Sequence, residues 1–167
     1  MEYVKKVEHQ IAEWLKDLPH LPAGGQKWIA ENLWWMVLAY VIISGIGLLI
    51  AIGGLILFST AGSILAPVVT GPAILTAFIG ILFSIATLVV AALAIKPLKD
   101  VQKKGWVLLF LALLIYAVSI VVNGILSFSV LGFFLSIIFG FVGLAVAGYF
   151  LFEARGYFAH PAKSTAK

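Results

Sequence analysis

The chain has 167 residues, 63% of them hydrophobic and 11% charged, with a formal net charge of +4 and a mean hydropathy of +1.14. A soluble domain carries about 25% charged residues, and one domain of this length could not hide so much apolar surface from water, so lipid is the expected solvent. With no cysteine, disulfides, thiolate metal sites, redox pairs and cysteine nucleophiles are excluded. The charges form no basic face, which argues against nucleic acid as a partner.

Residues 1–18 read as an amphipathic cytoplasmic or interfacial helix that stops before Pro19. At 100° per residue, Tyr3, Trp14, Val7, Leu18, Ile11, Val4 and Leu15 share an arc of about 120°. Lys5, Lys6, Glu8, His9, Glu13 and Lys16 fill the remainder. The segment has a net charge of −1, so attraction to anionic lipid is not its driver. It either lies in the headgroup layer or against its own bundle, or it docks on a partner. Residues 19–32 follow as a hinge, Leu18 to Gly25, and a lead-in to the first span. This polar stretch is too long for a signal-peptide core, so the first span is expected to stay in the membrane.

No Asp, Glu, Lys or Arg occurs between Asn32 and Ile95, or between Gly105 and Phe152. Each gap holds two spans of ~20 residues, the number a bilayer core of ~30 Å requires. Gly and Pro within 59–72 divide the first gap, and Ser127-Phe128-Ser129 divides the second. The expected spans are about 33–58, 73–96, 105–126 and 130–152, making 33–152 a four-helix transmembrane bundle, with a tail over 153–167. A three-span reading with a broken last helix is the lesser alternative. The uncharged 59–72 loop is expected to cap the bundle or fold back into the interface, with a re-entrant pore segment as the bolder reading.

The eleven basic residues fall before the first span, between the second and third, and after the fourth. Four spans place all three groups on one side, and the positive-inside rule makes that side cytoplasmic. The expectation is therefore an all-α polytopic protein of the cytoplasmic membrane with both termini inside. Trp28, Trp34, Trp35 and Trp106, with Lys96, Lys104 and Arg155, are the candidate interface anchors, the indoles keeping their N–H groups wet.

Helices already in lipid associate through close backbone contact and hydrogen bonds, which favours small residues spaced by four. Gly132, Ser136, Gly140 and Gly148 form such a stripe in the fourth span, and Gly80 and Ser84 belong to one in the second. Both are expected to face neighbouring helices. Gly45 and Gly53 in the first span are a third set.

Catalytic chemistry is hard to place. A carrier driven by protons or cations needs an ionisable group inside the membrane, and no span has one. No histidine lies in a span to serve as the base of a serine hydrolase, and no acidic or histidine cluster suggests a metal. Asn123 is the most polar intramembrane side chain; it either bonds a neighbouring helix or lines a polar site. Ser44, Ser84, Thr87 and Ser119 are expected to satisfy local carbonyls. Glu153 and Arg155, two apart, do not share a helix face and are not expected to pair with each other; either could reach the 96–104 loop.

Ile95-Lys96-Pro97-Leu98, Lys103-Lys104-Gly105-Trp106 and the ending Leu151-Phe152-Glu153-Ala154-Arg155-Gly156-Tyr157 resemble small bacterial four-helix membrane proteins with no assigned activity. The likeness covers about the second half of the chain, rests on membrane-boundary residues, and implies topology alone.

The sequence thus points to a non-enzymatic accessory or scaffold subunit that meets a partner through its N-terminus or basic loop, with no cofactor. The alternative is an oligomeric passive channel or carrier for a small neutral or apolar solute, built around Asn123. The expected partners are the bilayer itself and a partner membrane protein or a second copy of the chain.

Overall fold

The computed structural model describes residues 2–17, 19–65, 67–126 and 130–159, and every regular element among them is helical. The helices are α1 (Glu2–Leu15), α2 (Ala23–Leu65), α3 (Pro67–Lys99), α4 (Lys103–Leu126), α5 (Val130–Glu153) and α6 (Arg155–Ala159). Four of them, α2 to α5, are long and apolar enough to cross a membrane. In hydrocarbon a backbone must satisfy its own polar groups, and an uninterrupted helix does so even through Gly-rich sequence.

That principle explains where the helix ends depart from expectation. The loop anticipated over 59–72 is helical on both sides of residue 66. Ser59 and Thr60 do not break α2, because their hydroxyls donate to the Ile56 and Leu57 carbonyls of their own helix. Pro67 opens α3, and proline suits a first helical position. At the other end the hinge is also shorter than expected. The Pro22 carbonyl accepts from the Gly25 and Gln26 N–H groups, so residues 23–32 are the first turns of α2.

The α3–α4 connection is a tight turn. Gln102 N–H donates to the Pro97 carbonyl and Val101 N–H to that of Leu98, the paired bonds of a Schellman cap. The cap needs a left-handed residue, and Val101 supplies it at φ 50°, a costly conformation for a β-branched side chain. Gly105 lets α4 leave this turn closely: a Cβ there would lie 2.5 Å from Leu98 N and 2.8 Å from Pro97 C.

The long helices are unequal. At ~1.5 Å per residue, the 24 residues of α4 and of α5 span about 36 Å each, while the 43 of α2 reach about 65 Å. Thr76 Oγ1 donates to the Leu126 carbonyl over 2.8 Å, which sets the end of α4 beside Thr76. The first turns of α3 therefore run past α4 by about 14 Å.

Each long helix packs on the next, α2 on α3, α3 on α4 and α4 on α5, with no comparable interface between α2 and α5. The most apolar windows of these two outer helices hold no buried residue, whereas a third of that of α4 is buried. The core lies at one end, where the start of α2, the α3–α4 turn and the α5–α6 junction meet. Leu33, Leu98, Phe110, Leu151 and Phe158 are buried there. Lys99 Nζ sits 5.3 Å from the Trp34 ring centroid at the same end, which is called the basic end below.

Candidate functional site

Because α2 and α5 do not close on each other, the bundle keeps a groove whose floor is α3 and α4. It has two lobes. The lobe farther from the basic end, about 670 Å³, is lined by all four long helices and carries Ser44, Ser84, Ser119, Asn123 and Ser136. The lobe nearer the basic end, about 540 Å³, is lined mainly by apolar residues from Leu33 and Val37 to Leu144 and Leu151. Tyr40, Ser44, Thr87 and Tyr116 line both, so a polar girdle separates a mixed lobe from an apolar one. Neither lobe has an Asp, Glu, Lys, Arg or His in its lining.

The polar groups differ in how they are satisfied. Ser119 Oγ donates to the Tyr116 carbonyl, and Asn123 Nδ2 donates to the Ser119 carbonyl over 2.8 Å. Asn123 thus bonds its own helix rather than a neighbouring one, while its Oδ1 lies 3.2 Å from where a Cβ on Gly80 would stand. Thr87 is different. It is 6% exposed, lines both lobes, and makes no hydrogen bond among the described residues. Among the described residues no sealed polar side-chain atom lacks a partner, so the Thr87 hydroxyl opens into the cavity.

The small-residue stripes are placed unevenly. Gly80, Ser84, Ser136 and Gly140 come together around the mixed lobe, and a Cβ on Gly140 would stand 2.8 Å from Ile120 Cγ1, a close approach of α5 to α4. Gly132 is half-buried on α5. Gly148, Gly45 and Gly53 meet nothing within 4 Å at a Cβ position, so among the described residues no helix approaches closely there.

The anchors separate in the same way. Trp28 and Trp35 are exposed near the start of α2, and Lys96 and Lys104 are exposed at the α3–α4 turn. Trp106 is not an interface anchor. It is 2% exposed and its Nε1–H donates to the Leu151 carbonyl over 2.9 Å. The reason is an end-of-helix requirement: the last carbonyls of α5 have no intrahelical donor, and the indole supplies one. Phe110 stacks on Trp106 at 5.3 Å and Phe152 meets it edge-on at 5.5 Å.

Glu153 and Arg155 turn to the N-terminal segment, not to the 96–104 loop. The Glu153 carboxylate, its side chain 4% exposed, bonds His20 Nδ1 at 2.7 Å and accepts from Leu21 N–H at 2.8 Å and Gln26 Nε2 at 3.0 Å. Arg155 Nη2 pairs with Glu8 Oε1 of α1 at 2.7 Å, its guanidinium 5.8 Å from the Trp106 centroid. Tyr149 Oη donates to the Pro19 carbonyl and Tyr157 Oη to that of Ala23. The hydrogen bond to Glu153 outweighs partial desolvation and, with the carboxylate charge and the Lys16 carbonyl, holds the His20 pKa above its usual 6.5.

No family model, curated protein or solved structure matches the chain. The site therefore rests on its own geometry. Asn123 and the hydroxyls were visible in the sequence as polar letters inside apolar runs. Tyr40 and Tyr116 were not, because tyrosine is ordinary in a membrane helix, and their lining of the same groove from α2 and α4 depends on helix phase. The Glu153–His20 pairing joins residues 133 apart and has no local signal.

Proposed function

We propose that this is a non-enzymatic integral membrane protein of a cytoplasmic membrane that holds an uncharged solute between its helices, as a passive carrier or channel. The observation that carries the reading is the uncharged, hydroxyl- and amide-lined cavity bounded by all four long helices and open sideways between α2 and α5. Full charges are costly at membrane depth, and a lining of hydroxyl and amide groups suits a neutral polar group. All four long helices of one chain line the cavity, so its polar lining is assembled without a second copy.

The gathering of Lys99, Lys104 and Arg155 at the basic end supports placing that end in the cytoplasm, with both termini there. On this reading α1 is an amphipathic helix lying along the inner interface: Arg155 ties its Glu8, Ile11 packs on the core, and Trp14, 72% exposed, reaches headgroups. Tyr3, Val4, Leu15 and Leu18 of the apolar arc lie outside the described side chains. An accessory or scaffold role is the second reading, favoured by the exposure of Trp14 and Val7, which a partner protein would cover as readily as lipid.

Vesicles reconstituted with the purified protein are expected to exchange a neutral solute faster than protein-free vesicles, and Asn123→Leu is expected to change that rate by about fivefold, the loss of one hydrogen-bonding group. Exchange no faster than in protein-free vesicles across a broad panel of neutral solutes contradicts the proposal.

A further inference from the structure

We infer that the two lobes form one site for an uncharged single-chain amphiphile, with its hydroxyl or carbonyl head at Thr87, Ser84 and Asn123 and its hydrocarbon chain in the lobe that ends on Leu33 and Leu151. This rests on the solute-holding reading and gives that solute a chemical class.

Three observations carry it. First, polarity is graded along the groove: the lobe toward the basic end has no polar lining beyond the girdle it shares with its neighbour, so a ligand filling both is apolar at one end only. Second, Thr87 is a buried hydroxyl with no partner among the described residues, placed at the junction of the lobes. A polar group in apolar surroundings is costly unless hydrogen-bonded, and a head oxygen there completes it. Third, α2 and α5 make no comparable interface, which leaves the groove a lateral entrance for a ligand that resides in the bilayer.

Size and lining chemistry both fit this occupant. The groove runs along α2 from Leu33 to Ala51, about 27 Å at ~1.5 Å per residue. Each lobe lies within the ~300–1,000 Å³ of ordinary small-molecule pockets. The lack of any ionisable lining group other than tyrosine selects a neutral head over a phosphate or an amine.

The test is photolabelling of the full-length protein in phosphatidylcholine vesicles. Three probes carry a diazirine in a chain of equal length: a monoacylglycerol, a headless alkane and a lysophosphatidate. The monoacylglycerol is expected to label α3 near Thr87–Ala91 and α5 near Gly143–Ala147, at least about fivefold over either comparison probe. Thr87→Val lowers this labelling by about fivefold, and Ala147→Phe, an exposed position that narrows the chain lobe, abolishes it, with thermal unfolding in both variants as in the parent. Equal labelling by the alkane, or preference for the lysophosphatidate, overturns the assignment of a neutral amphiphile and leaves the groove as a solute site. Absence of groove labelling with all three probes, in protein that unfolds cooperatively, overturns the solute-holding reading as well.

Discussion

Glu153 Oε1 lies 2.7 Å from His20 Nδ1, and the same carboxylate collects the Leu21 N–H and the Gln26 amide. One buried side chain at the end of α5 thereby fastens the strap between α1 and α2. Glu153→Ala leaves these donors without their acceptor at a site that excludes most water. Hydrogen bonds to a charged group contribute about 1.5–3 kcal/mol each, and water recovers part of that at the exposed His20. A net loss of about 2 kcal/mol is expected, with faster tryptic cleavage at Lys16 and Lys27. Unchanged cleavage kinetics would mean that the strap is held by other contacts.

The same pair gives a pH dependence. His20 has its pKa raised in the folded state, first by the hydrogen bond it donates to the Glu153 carboxylate. A raised pKa adds stability that is complete below the unfolded value of about 6.5 and is lost as pH rises through the folded value. The thermal midpoint in detergent is therefore expected to fall between pH 6 and pH 8.5, and His20→Asn is expected to flatten that step. A midpoint that rises over this window in the parent protein would contradict the pairing.

Close approach at Gly105 sets the α3–α4 turn. A Cβ there meets backbone atoms of Pro97 and Leu98 rather than movable side chains. Gly105→Ala is expected to destabilise by about 3 kcal/mol, the upper end of overpacking costs, and to lower the monodisperse yield. Gly54→Ala, where nothing lies within 4 Å, is the control and is expected to leave the yield intact.

Gly140 and Ile120 are expected to be coupled. Gly140→Ala presses on three Ile120 atoms at 2.8–2.9 Å, and a β-branched side chain has little rotamer freedom to give way. The single substitution is expected to cost about 1–2 kcal/mol, and Ile120→Ala to relieve most of it. A double-mutant cycle reads the coupling directly; a coupling energy near zero would show that α5 shifts instead.

What was readable in the sequence followed from lipid as solvent. Two long uncharged gaps gave four helices without any fold to imitate, because a backbone in hydrocarbon has few alternatives. The same physics defeated the reading of Ser59–Ser63 as a loop: signals that break helices in water lose force where hydroxyls return their bonds to the helix. Asn123 stood out as a polar letter, but its setting against Gly80 depends on helix phase between α3 and α4. The groove was not readable at all, since it arises from a contact that α2 and α5 do not make. Trp106 was misassigned because its position near lysines looks interfacial, while its burial is dictated by the end of a distant helix.

The central claim is that the groove between α2 and α5 holds an uncharged molecule rather than a partner protein. The most direct measurement is the mass of the complex taken from its native membrane in mild detergent, with its components identified. The account predicts this chain alone, in one or more copies, with a stoichiometric neutral small molecule that Thr87→Val or Ala147→Phe reduces. Stoichiometric foreign subunits with no bound small molecule would contradict it and restore the accessory role.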